Sequence, residues 1–324
     1  MIVNYPRMRR RVKGWPDDLD TALEFSSANP FSISAPKNWD GKLEYTNGSG
    51  WKMWDGSAIA SGEIENNHYI YLRGTGNSKI TGTTSSSVKW SIIGTNIACN
   101  GDIDLLLDYS TVKNGNRPAM ASYCYSNMFQ GCTSLTATPS LPATTLASYC
   151  YSNMFQGCTS LTAAPSLPAT TLANNCYNSM FQGCTSLTAA PSLPATTLNT
   201  NCYYYMFYGC TSLTTAPSLP ATTLANNCYN SMFQGCTSLT TVPSLPATTL
   251  ANNCYNSMFY LCTKIKLSTT ASGTYTKSYR IPQNGTGTTA SGALVYMFGN
   301  TGGTFNGAPK INTTYYLDES NTIV

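Results

Sequence analysis

From residue 118 to residue 263 apolar and polar positions recur six times with a period of 26. Within the second copy Leu146, Cys150, Met154, Phe155 and Cys158 fall at steps of three or four, the period of one helical face. This spacing predicts a helix of about 11 residues in each copy, with Thr145 as its N-cap and Gly157 as a left-handed C-cap. Beyond the glycine, Leu161, Ala164 and Leu167 predict a strand-like segment and a return, closed by Pro165 and Pro168. A proline removes a ladder hydrogen bond, so sheet pairing between copies should be short, about three residues each. A fixed period of this length predicts a solenoid, in which each unit buries its apolar face on the next.

The copies align by their cysteines. Cys124, Cys150, Cys176, Cys202, Cys228 and Cys254 open them, and Cys132, Cys158, Cys184, Cys210, Cys236 and Cys262 follow eight residues later. In a helix such a pair would lie about 12 Å apart along the axis, beyond the roughly 7 Å that a disulfide spans between Cα atoms. The cysteines therefore read as buried small hydrophobes. No CxxC knuckle occurs and the single histidine, His68, lies outside the repeats, so no metal site is expected.

Upstream the period is absent. Alternation and aromatic content predict strands at 42–45, 51–54, 69–72 and 88–93, with turns at Asn47-Gly48, Asp55-Gly56 and Gly74 to Gly76. His68 reads as a turn residue. Downstream of Cys262 the spelling dissolves, and short strands are predicted at 275–281, 293–298 and 314–317. The chain thus divides into a basic arm (1–20), a small antiparallel, sandwich-like β domain (21–115) that would cap the first repeat, the repeats (116–267) and a C-terminal cap (268–324). The fold class is mixed α/β: a solenoid of six 26-residue repeats behind a small β domain.

Charge narrows the chemistry. Residues 118–263 contain no Asp, Glu, Lys, Arg or His, and such a surface cannot run general acid/base catalysis. All carboxylates lie at or before Asp108 or in the pair Asp318 and Glu319. A glycoside hydrolase needs two carboxyl groups about 5 to 10 Å apart. Asp102, Asp104 and Asp108 are the one cluster beside the repeats, and they suit a solvated connector at least as well as a site. A cysteine nucleophile would need a base, and His68 stands in another domain. No nucleotide motif occurs, and no cofactor is expected. Arg7, Arg9, Arg10, Arg11 and Lys13 crowd the first 13 residues, where they form either an anchor for an acidic surface or nucleic acid, or a solvated tail. No stretch reaches the roughly 18 apolar residues of a membrane span. The N-terminus lacks the apolar core of an export signal, which predicts folding in a cytosol.

Variation among the copies is orderly. The pair before Met-Phe is Ser126-Asn127, Ser152-Asn153, Asn178-Ser179, Tyr204-Tyr205, Asn230-Ser231 and Asn256-Ser257, and the residue after Phe is Gln except at Tyr208 and Tyr260. Tyr, Asn and Ser are the residues of adaptable binding surfaces; drift at solvent-facing positions would give the same pattern. Tyr204, Tyr205 and Tyr208, with Tyr123, Tyr149 and Tyr260, are the candidate ligand-binding residues, suited to sugar rings or a protein patch, or else to burial against a sister subunit.

The spelling Met154-Phe155, Gly157-Cys158-Thr159-Ser160-Leu161 and Leu167-Pro168 resembles the leucine-rich repeats of BspA-type surface proteins, including a variant of Bacteroidales and their phages. The likeness covers residues 120–267, under half of the chain. It implies a right-handed leucine-rich-repeat-like solenoid used in adhesion, without catalysis. Bacterial members carry an export signal, so its lack here directs the expectation to a phage fibre or decoration protein. Such a protein would be made in the host cytoplasm and sit on the virion surface, docked to other virion proteins by the arm. It would bind a host surface glycan or protein, and homo-oligomers are common in that class. A bacterial cell-surface adhesin and a purely structural virion spacer are the alternatives.

Overall fold

The computed structural model describes residues 14–36, 41–81 and 89–324. The protein is rich in short strands in open sheets. Among the described residues the helical segments are Leu105–Lys113 and the 3-10 turn Leu19–Thr21.

Upstream of the repeats two sheets form. The larger runs in the order Leu135–Ala137, Ile97–Asn100, Leu23–Ser27, Asn67–Gly74, Leu43–Thr46, Lys52–Met53, with Gly62–Ile64 also on Asn67–Gly74. The smaller pairs Ile59–Ala60, Ser32–Ser34 and Ser91–Ile93. All pairs are antiparallel except Leu135–Ala137 on Ile97–Asn100, which carries the sheet into the first repeat. His68 lies within a strand opposite Ser27 and Glu63, not in a turn. Arg73, itself buried, ties several segments together: its guanidinium contacts Asp18 at 2.5 Å and Glu44 at 2.9 Å and lies over the rings of Trp51 and Tyr109.

The predicted repeat helices do not form. Each unit opens with a coil of overlapping turns in which alternate amides have different destinations. In the second coil Ser152, Met154, Gln156 and Cys158 donate back three residues, to the carbonyls of Tyr149, Tyr151, Asn153 and Phe155 at 3.1–3.2 Å. The amides between them leave the coil: Tyr151, Asn153, Phe155 and Gly157 donate to Cys176, Asn178, Met180 and Gln182 of the next, at 2.7–3.0 Å. Every fourth residue is left-handed, with φ of 59° at Tyr149, 54° at Asn153 and 72° at Gly157, which no α helix accommodates. The apolar residues recur at steps of four here, close enough to the helical 3.6 to mimic a helical face.

Side chains then stack in register. Phe129, Phe155, Phe181, Phe207, Phe233 and Phe259 form a ladder with centroids 5.5–5.7 Å apart. Tyr125, Tyr151, Tyr177, Tyr203, Tyr229 and Tyr255 form a second at 5.6–5.8 Å. Both are buried. The cysteines are free and buried, and the second of each pair does more than fill space: Cys158, Cys184, Cys210, Cys236 and Cys262 donate their thiols to phenylalanine carbonyls of the preceding coil at 3.0–3.1 Å. Burial pushes Cys184 up to about 12, so the thiol keeps its proton for this bond. In the proline-rich return segments pairing shrinks to single bridges such as Thr145–Thr171 and Ala189–Thr215. Thr145 is thus a bridge residue rather than a cap.

A seventh coil follows where a strand was predicted. Gly292, Tyr296 and Asn300 repeat the left-handed pattern, with φ of 67°, 53° and 54°. Tyr255, Ser257, Phe259 and Leu261 donate to the carbonyls of Ala293, Val295, Met297 and Gly299 at 2.8–3.0 Å, and Phe298 stacks on Phe259 at 5.3 Å. Ala293 and Thr301 stand in the cysteine positions, and Ala293 follows Cys254 by 39 residues instead of 26. The extra chain forms the strand Tyr275–Arg280, which pairs with Thr314–Asp318 and, through it, with Leu267–Ser268. At the opposite end Ile80 and Trp90 donate to Cys124 and Met128, closing the first coil against the upstream domain.

Candidate functional site

The left-handed positions explain much of the variation between copies. The first falls on Tyr123, Tyr149, Asn175, Asn201, Asn227 and Asn253, the second on Asn127, Asn153, Ser179, Tyr205, Ser231 and Ser257. Asparagine reaches this region more readily than most non-glycine residues. At the second position a local bond adds a further demand. Asn153 Nδ2 donates to Ser152 Oγ at 3.2 Å, whereas Ser179 Oγ donates to Asn178 Oδ1 at 2.9 Å, so reversing the order of Ser and Asn keeps one hydrogen bond. Asn127, Ser231 and Ser257 donate in the same two ways. Ser126, Asn127, Ser152, Ser179 and Ser231 are buried, which corrects the expectation that this pair faces solvent.

Coil four breaks the rule. Tyr204 and Tyr205 replace the bonded pair and meet edge to face at 4.1 Å, and Tyr205 meets Tyr208 at 5.3 Å and 87°. Tyr208 also ends a run of amides in which Gln130 donates to Gln156, and Gln156 donates to Gln182 at 2.6 Å. All three rings are half-buried. Partial burial and the hydrogen bond to Tyr205 push the Tyr204 phenol up to about 12. The six candidate tyrosines thus fall into three groups. Tyr204, Tyr205 and Tyr208 form one cluster; Tyr123 and Tyr149 stack at 4.5 Å in the first two coils; Tyr260 lies 6.4 Å from Tyr296 of the seventh. Tyr296 escapes sequence reasoning, although the spacing of Met297-Phe298 would have revealed its coil.

Asp102, Asp104 and Asp108 serve the junction between the upstream domain and the stack. Arg117 pairs with both Asp102 and Asp104, Tyr125 donates to Asp104 at 3.0 Å, and Asp108 accepts from the amides of Gly76 and Thr111 and from Ser110. Burial, then the charge of Asp102, raises Asp104 to about 6. Its folded value lies above the ordinary 3.8, so the stability it contributes is full below 3.8 and is lost as pH rises through 6. Asp104→Asn keeps an acceptor for Tyr125 and removes the buried charge. It should stabilise by about 1–2 kcal/mol at pH 8 and change little at pH 4. Urea titrations of both proteins at the two pH values check this; equal shifts would mean that the carboxylate is not the cause.

Among the described residues no group of three His, Cys, Asp or Glu could hold a metal ion, and no helix is long and apolar enough to cross a membrane. Arg7, Arg9, Arg10, Arg11 and Lys13, the expected anchor, lie outside the described residues. No family model, curated protein or solved structure matches the chain.

Proposed function

We propose that this is a non-enzymatic protein of a phage particle, a fibre or decoration protein. Its coils form a right-handed, leucine-rich-repeat-like solenoid of the BspA type that adheres to a glycan or protein on the host surface. The observation that carries this reading is the Tyr204, Tyr205 and Tyr208 cluster. It abandons the Ser–Asn hydrogen bond that the other five repeats keep, ends the glutamine run of the first three, and groups three half-buried rings instead. Binding surfaces concentrate free energy in a few aromatics, and the uncharged coils around the cluster suit hydrogen-bonding ligands over ionic ones. In this reading the basic arm docks to the particle and the solenoid faces outward.

Changing Tyr204→Asn, Tyr205→Ser and Tyr208→Gln restores the common spelling, including a serine at the second left-handed position, where Ser179 and Ser231 already sit at φ of 53° and 54°. The fold should survive. Host attachment, or affinity for the isolated receptor, should fall at least about tenfold, which is about 1.4 kcal/mol. Full attachment by the folded triple variant would instead favour a spacer.

A further inference from the structure

Within the stacked coils the main-chain hydrogen bonds run in one sense, from an amide of the earlier coil to a carbonyl of the later one. The cysteine thiols and a few return-segment amides, such as Thr214 to Thr188, run the other way. The first coil offers carbonyls, and those of Cys124 and Met128 are taken by Ile80 and Trp90. The seventh offers amides with no successor. Continuing the pattern, these are Leu294, Tyr296, Phe298 and Asn300. Phe298 donates to Gly307 at 2.9 Å, so a main-chain carbonyl of the chain itself fills one seat. Among the described residues nothing accepts from Leu294, Tyr296 or Asn300.

The side chains change character at the same end. Val295 and Tyr296 stand in the columns where coils other than the fourth carry Ser or Asn, and they are 40% and 63% exposed. Leu261 stands where the five earlier coils carry glycine, at φ 64° and 40% exposed. A leucine in left-handed backbone costs roughly 1–2 kcal/mol. Tyr260, pinned by a 2.9 Å bond from Asn300 Nδ2, joins Leu261 to Tyr296.

We propose that this end of the stack binds an extended peptide segment of a different protein. The carbonyls of that segment would take the Leu294 and Tyr296 amides, and its apolar side chains would lie on Val295, Tyr296 and Leu261. Open strand-like edges recruit peptides in this way. A donor-only edge requires an acceptor partner, which disfavours a second copy: end against end, donors would meet donors, and at its first coil the Cys124 and Met128 carbonyls are already taken. An anion or sugar would leave the aliphatic faces of Val295 and Leu261 uncovered, whereas a peptide covers both kinds of surface.

The full chain, used as bait against a displayed library of random linear peptides, tests this. Val295→Asn with Tyr296→Ser, which restores the common column residues, serves as the counter-selected variant. Recovered peptides should bind the native chain at least about tenfold more tightly than the variant. They should also slow amide exchange at Leu294 and Tyr296. Recovery of no sequence that prefers the native chain would overturn the proposal, as would binding that leaves those two amides unprotected. Concentration-dependent self-association abolished by the double variant would give the surface to a second copy instead. Protection of the same amides by heparin would give it to an acidic glycan.

Discussion

Phe181→Ala should destabilise the protein by about 3–5 kcal/mol, as expected for a buried aromatic that leaves a cavity. Phe181 is fully buried and stacks on Phe155 at 5.7 Å and Phe207 at 5.6 Å. Its loss removes two ring contacts at once, in the middle of a stack whose units contact only their neighbours, so the defect separates the two halves. Gln182→Ala, one residue on, removes a single acceptor for Gln156 from a half-buried position and should cost about 0.5–1 kcal/mol. Urea unfolding of the two variants measures the contrast. Similar losses would mean that the ladder does not carry the core.

Ser179→Pro should be at least as damaging, about 4 kcal/mol or more. Ser179 has φ 53° and donates its amide to Tyr204 at 2.8 Å. Proline fixes φ near −65° and removes the donor, so it opposes both requirements of the position. Leu261→Gly makes the opposite change at the equivalent strain. Leu261 takes φ 64° and is partly exposed, so glycine should relieve backbone energy with little lost packing and raise stability by about 0.5–1 kcal/mol. Thermal and urea melts of both variants give the signs. A destabilising glycine at 261 would show that the leucine side chain holds the last coils together.

The sequence carries the period and the apolar columns openly, because Cys150, Met154, Phe155 and Cys158 recur at fixed places and all are buried. It conceals the backbone. A step of four between apolar residues is nearly the helical step, and only the Asn, Ser and Gly residues four apart hint that left-handed turns intervene. The seventh coil is hidden twice, by the replacement of its cysteines with Ala293 and Thr301 and by the extra strand inserted before it. The tyrosine cluster is visible as a departure from the repeated spelling. The Ser–Asn exchange is not, because a swap that conserves a hydrogen bond looks like drift until both side chains are placed. Asp104 likewise reads as a connector residue; its burial depends on Tyr125 packing over it from the first coil.

The uniform spacing of the phenylalanine ladder makes length an adjustable quantity. Each repeat meets its neighbours through the same main-chain bonds and the same two ring ladders, so gaining or losing one 26-residue unit preserves these contacts and shifts the far end by one ring spacing, 5.3–5.7 Å. Recombination between near-identical copies supplies such changes readily. A lineage can thereby vary how far the protein reaches in steps of a few ångströms while the segments flanking the repeats stay as they are.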